Sequence, residues 1–162
     1  MRYLTGLLLL CLPLLSNAQQ MTIKFEVPAL DVSPYHRPYV AIWLETPKRK
    51  GVHTIAIWYE KDDWLKDLRQ WWRKLGRKDA AAYDATSGAT RKPGTYTVHW
   101  NGLDQNQQPI AAGEYFLNLE ASREAGGRDF MRQKIRWGER GEPQQFELQG
   151  DLELGNIHII IE

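Results

Sequence analysis

Residues 94–117 read GTYTVHWNGLDQNQQPIAAGEYFL. Tyr96, Val98 and Trp100 alternate with Thr95, Thr97 and His99, the two-residue period of a strand with one face against a core. Asn101-Gly102 marks a turn, and the β pattern resumes at Gly113. The same pattern extends outward in both directions. Upstream, 21–27, 39–44 and 52–59 read as strands; 46–51 joins the last two as a hairpin, and 28–38 is a loop holding three prolines. Downstream, 113–122, 130–137, 144–148 and 156–161 read as strands, with Gly126-Gly127 as a further turn. With 95–100 these make about eight short strands, which predict an all-β chain folded as an antiparallel β-sandwich.

Residues 62–76 break this period. Trp64, Leu68, Trp71 and Leu75 follow i, i+4, i+7 and i+11, widened by Leu65 and Trp72, while Lys66, Arg69, Arg73 and Arg77 fall opposite. Asp62 and Asp63 suit the positive end of a helix dipole, and Gly76 follows the last apolar residue. The spacing predicts one amphipathic helical insertion. Its Trp face is expected to cap the end of the sandwich core; the alternative is that Trp71 or Trp72 lines a niche for a planar ligand.

The chain opens with Arg2, an apolar run over 4–15 and the small residues Ser16 and Ala18. That is the pattern of a Sec signal peptide, residues 1–18, cleaved after Ala18, so a periplasmic location is expected for a domain over residues 21–162. Cys11 is the one cysteine and lies in the leader, so the mature chain would hold no disulfide, thiol nucleophile or cysteine metal site. Cleavage would remove Arg2 and leave 20 basic against 20 acidic residues, a balance that gives no field for nucleic acid. Seven Trp and seven Tyr require burial or a flat partner. His36, His53, His99 and His158 lack metal-ligand spacing, and no metal is expected. Arg123-Glu124 and Arg128 flank the Gly-Gly turn and read either as a surface ion pair or as a docking patch for an electron-transfer partner.

Between the helix and residue 94 runs a long connection, 77–94, with little periodicity, a length that is uncommon without a function. It contains Asp84-Ala85-Thr86-Ser87-Gly88-Ala89-Thr90. This heptapeptide resembles the acceptor site, D-x-x-[ST]-G-A-[ST], of a bacterial FAD:protein FMN transferase. The resemblance implies FMN covalently bound as a phosphoester to Thr90, the last residue of the pattern. Attachment needs an accessible hydroxyl. Gly88 and Ala89 would leave room for FAD, Ser87 would bond nearby backbone and shape the turn, and Asp84 would orient the segment or place Mg²⁺ in the transferase. Arg91, with Lys92, would offset the phosphodiester charge. Trp58, Trp71, Trp72 and Tyr83 are the aromatic candidates for contact with the flavin ring, though each is more simply a core residue.

Two further resemblances bear on fold and family. The 94–117 pattern, with Asn101-Gly102, Asp104 and Gln108-Pro109-Ile110, is similar to the Ig-like domain of flagellar hook-capping protein; that family has Asn-Gly where this chain has Asn106-Gln107. Across the mature chain, Pro34-Tyr35, Arg37-Pro38-Tyr39-Val40-Ala41, Trp43, Ser87-Gly88-Ala89-Thr90-Arg91, Pro93-Gly94, Arg123-Glu124 and Gly126-Gly127-Arg128 resemble a family of bacterial periplasmic proteins. Members are often encoded beside PepSY-type membrane proteins and the FMN transferase. The expectation is an Ig-like periplasmic electron-transfer flavoprotein, a redox carrier rather than a stand-alone enzyme, with the transferase and a PepSY-type membrane protein as partners. The alternative is a non-redox Ig-like module that binds protein or glycan through exposed aromatics.

Overall fold

The computed structural model describes residues 19–78, 81–84, 86–138 and 141–162; the expected signal peptide, 1–18, lies outside them. Apolar alternation in the chain becomes alternating burial. In β1 (Met21–Val27), Met21, Ile23, Phe25 and Val27 are buried and the residues between them are not. Eight further strands follow: β2 (Tyr39–Glu45), β3 (Gly51–Trp58), β4 (Ser87–Gly88), β5 (Gly94–Trp100), β6 (Gly113–Ser122), β7 (Arg128–Trp137), β8 (Gln144–Gln149) and β9 (Asn156–Ile161). They form two sheets, ordered β5-β1-β9-β8 and β4-β3-β2-β6-β7. Every pairing is antiparallel except β3 with β4. The eight strands expected from the sequence are present, and β4 is an addition. The fold is mostly β, in two sheets, with one short helical insertion.

The main core draws on both sheets. Ile23, Phe25, Ile157 and Ile159 of the four-stranded sheet share one cluster with Ile42, Leu44, Leu117 and Leu119 of the five-stranded sheet. Burying each such side chain contributes about 1.5–3 kcal/mol. In β2 both faces are apolar: Val40, Ile42 and Leu44 enter this core, whereas Ala41 and Trp43 point the other way. Those two join Ile57, Leu65, Leu68, Trp71 and Tyr83 in a second cluster. The helical insertion therefore covers the outer face of the five-stranded sheet. The expectation that it caps the end of a sandwich is corrected, because a strand apolar on both faces needs a cover on each.

The insertion is not one regular helix. A 3-10 segment (Asp62–Asp67) leads into α1 (Arg69–Trp71) and then a π segment (Trp72–Gly76). The buried residues Leu65, Leu68 and Trp71 are spaced by three, the repeat of a 3-10 turn. That spacing turns Trp64 out of the expected stripe and leaves it 42% exposed. Gly76 allows the π turn to close: a Cβ there would lie 2.5 Å from the Trp71 ring and 2.7 Å from that of Trp72.

Buried carboxylates fasten the parts together. Glu120 of β6 accepts from the backbone N–H of Gln70 at 3.0 Å and Trp71 at 2.9 Å, and from Arg128 Nη1 at 2.8 Å. Trp71 Nε1 donates to Thr54 Oγ1 at 3.0 Å. On the other side of β7, Asp129 Oδ2 accepts from four successive amides, those of Asp151 to Leu154, at 2.9–3.0 Å. Buried Arg123 pairs with buried Glu153 at 3.0 Å, and Gly127 N donates to the same carboxylate at 2.7 Å. Arg123 is thus an internal tie, whereas Arg128 reaches the buried Glu120 carboxylate from an exposed position at the start of β7. Glu124 stays exposed, 3.5 Å from His36. Among the described residues, no buried side-chain nitrogen or oxygen lacks a hydrogen-bond partner, as expected of a well-formed interior.

Candidate functional site

The small-residue segment after the insertion is ordered by its own side chains and then by the sheet. A helical turn, α2 (Ala81–Asp84), ends where Thr86 N and Thr86 Oγ1 both donate to Tyr83 O, at 3.0 and 3.1 Å. Ser87 Oγ donates to Asp84 O at 2.9 Å, the local turn-shaping bond expected of it. The chain then runs parallel to β3, with Ser87 beside Ile57 and Gly88 beside Trp58. Ile57 N donates to Thr86 O at 3.1 Å and Tyr59 N to Gly88 O at 2.9 Å. What reads in the sequence as a connection without periodicity is therefore an edge strand and its lead-in. A Cβ at Gly88 would lie 3.3 Å from Trp58 Cδ1, so a small residue lets β4 sit against that ring. Ala85 lies outside the described residues.

Within the heptapeptide, Asp84, Ser87 and Ala89 are exposed and Gly88 is half-buried. Thr90 is not the open residue that the acceptor resemblance requires: it is only 7% exposed. The next residue helps to explain this. The Arg91 guanidinium lies over the Trp58 ring at 4.4 Å and the Tyr96 ring at 5.3 Å. Tyr96 OH donates to Lys92 O at 2.6 Å. Arg91 and Lys92, the two residues that follow Thr90, are themselves exposed.

Tyr59 links this segment to the start of the insertion. Burial raises its phenol pKa above the usual value, the Asp62 and Asp84 carboxylates raise it further, and a hydrogen bond with Ser87 opposes them. The hydroxyl therefore keeps its proton at neutral pH.

The aromatic candidates divide. Trp71 and Tyr83 fill the second core, their rings edge to face at 5.0 Å. Trp72 is half-buried and packs against the same cluster. Trp58 is buried between Phe25, at 5.2 Å, and Tyr96, at 5.3 Å, but its indole also meets Arg91. Sequence reasoning missed Tyr59 and Tyr96 at this site. Tyr96 was visible only as one more residue in an alternating strand. It also missed a cleft lined by His36, Arg37, Tyr39, Lys61, Trp64 and Glu124, because a regular helix would have buried Trp64.

The histidines have separate polar partners. His53 is buried, 3.3 Å from Gln105 Oε1 and stacked on Trp100. His99 lies 3.1 Å from Thr22 Oγ1, and His158 pairs with Glu147 at 2.7 Å. Among the described residues, no group of three or more His, Cys, Asp or Glu is placed to hold a metal ion.

Two β-sheets, one helical insertion and a small-residue edge strand define a β-rich domain with a candidate modification segment. The chain belongs to the family described as "Predicted periplasmic protein (DUF2271)", whose model matches residues 20–156. Comparison with curated proteins and with solved structures gives no match.

Proposed function

We propose that this periplasmic protein is an electron-transfer flavoprotein carrying FMN esterified to Thr90. The observation that carries the reading is the heptapeptide 84–90 on a sheet edge, with Ser87 in its turn-forming bond and Arg91 and Lys92 exposed beside the acceptor. Attachment breaks the pyrophosphate bond of FAD. The Thr90 oxygen takes the FMN phosphorus, AMP leaves, and the hydroxyl proton passes to the departing phosphate or solvent. Gly88 and Ala89 keep the approach open, and Asp84 is free at the surface to meet the transferase. The remaining phosphodiester charge lies within reach of Arg91 and Lys92, which suit it. FMN supplies one- and two-electron transfer when bound, and the chain supplies attachment and electrostatics. We read the two sheets as an Ig-like sandwich, a rigid mount for such a tether, with a PepSY-type membrane protein as redox partner. The acceptor fits the group only when Thr90 comes out of the surface.

Co-expression with an FMN transferase in the periplasm tests this by intact mass. The wild type is expected to gain one FMN less one water, and Thr90→Ala to gain nothing. An unmodified wild type, beside a control substrate that is modified, overturns the reading.

One observation favours a second reading. Trp64 is exposed in a cleft with Arg37, Tyr39 and Lys61, a surface suited to a protein or glycan ligand of a non-redox binding module. A colourless protein whose Trp64→Ala variant alone loses a ligand would support it.

A further inference from the structure

We propose that Thr90 is a cryptic acceptor, and that Arg91 and Tyr96 form a latch that sets how fast the folded protein is modified. This rests on the flavin reading above and adds control of access to it. A threonine that is 7% exposed cannot carry its hydroxyl and its neighbours into another protein's active site unless the adjoining strand leaves the sheet. The strand is built to leave. β4 is two residues long, lies at a sheet edge, and pairs with β3 over only Ser87 and Gly88, with Ile57 N and Tyr59 N among the donors that hold it. Short edge segments open locally at small cost, without unfolding the core.

What resists opening lies just beyond the acceptor. Arg91 covers Trp58 and Tyr96, and the Tyr96 hydroxyl holds the Lys92 carbonyl. Tyr96 belongs to β5 in the other sheet, opposite Phe25 of β1. The latch therefore pins the chain on the far side of Thr90 to the four-stranded sheet, while β4 pins the near side to the five-stranded one. Release of both lets Thr90 present itself in an extended segment. Arg91 and Tyr96 are positioning residues: they take no part in the transfer and govern only the open fraction.

The test uses the full mature chain, purified and folded, with a transferase and FAD. The probes are the initial rate of mass gain and the hydrogen exchange of the Ile57 and Tyr59 amides, which are free only when β4 has left. Tyr96→Phe keeps the ring against Trp58 and removes one hydrogen bond; both exchange and modification are expected to rise about fivefold. Arg91→Ala removes the cation over the rings; exchange should rise about threefold, and Arg91→Lys should restore part of the protection. The double variant should be faster than either. Faster exchange with an unchanged modification rate in Tyr96→Phe overturns the latch. So does a wild-type rate equal to that of the double variant. Fast exchange with no mass gain in any variant, beside a working control substrate, is a different failure: it removes the flavin reading itself.

Discussion

His53 is buried against Trp100, and its imidazole pKa lies below the usual 6.5 because burial disfavours the cation; the Gln105 bond and the Asp104 charge only partly oppose this. The unfolded chain takes up a proton near pH 6.5 that the folded chain still refuses. Stability from this residue is therefore fully present above about pH 6.5 and falls as the pH drops below it. Urea midpoints between pH 7 and pH 5 should decline for the wild type, and the decline should be shallower in His53→Gln. Gln107 offers a second test. It sits at φ 59°, in a turn held by Asp104 Oδ1, which accepts from Asn106 N at 2.8 Å and Gln108 N at 2.9 Å. A left-handed non-glycine residue is strained, so Gln107→Gly should stabilise by about 0.5–1 kcal/mol, less whatever the glycine adds to the entropy of the unfolded chain. The Asp104 carboxylate explains how the chain tolerates Asn-Gln at this turn. At this scale the sequence is legible where a side chain acts on its own neighbourhood. The Ser87 bond could be foreseen; the burial of Thr90 could not, because it is a tertiary outcome that no local pattern around residue 90 encodes.

The helical insertion shows what periodicity can and cannot carry. Its existence, its place and the burial of Leu68 and Trp71 follow from the apolar spacing. Its hydrogen-bond pattern does not, and that pattern decides that Trp64 faces solvent. The choice is made by contacts that the insertion does not contain: Glu120 on β6 receives the amides of Gln70 and Trp71, and Thr54 on β3 receives the Trp71 indole. Glu120→Ala would leave two helix amides and the partly buried Arg128 guanidinium without that acceptor. A loss of about 3–5 kcal/mol is expected in urea unfolding. Glu120→Gln should cost less, since an amide oxygen still accepts. β4 was missed for the same kind of reason: two residues are too few to show a period, and its partner strand selects it.

Across the whole molecule, the sheet content and all eight longer strands were legible, because each strand carries its own alternation or apolar run. The strand order was not, because β1 pairs with β5, past three intervening strands, and with β9 at the other end of the domain. The polar ties between layers were hidden for the same reason. Asp129 reads as an ordinary strand acid, yet it gathers four amides of the turn before β9. Asp129→Ala should destabilise by several kcal/mol, on the order of 2–4, through amides left without an acceptor. Its hydrogen exchange should rise first over residues 150–155.

The position of β9 sets an order of events. It follows every other described strand in the chain, yet it lies in the interior of its sheet, between β1 and β8. While the polypeptide is being made and moved, β1 stands with one flank bare, and the isoleucines that complete the core, Ile157, Ile159 and Ile161, are still to come. A domain that folds cooperatively cannot settle until they arrive. For that interval the segment around Thr90 has no finished surface to sink into. If Thr90 is the acceptor proposed above, an enzyme acting on nascent or freshly exported chains would meet it bare, and the timing of modification relative to the docking of β9 would become a determinant of yield.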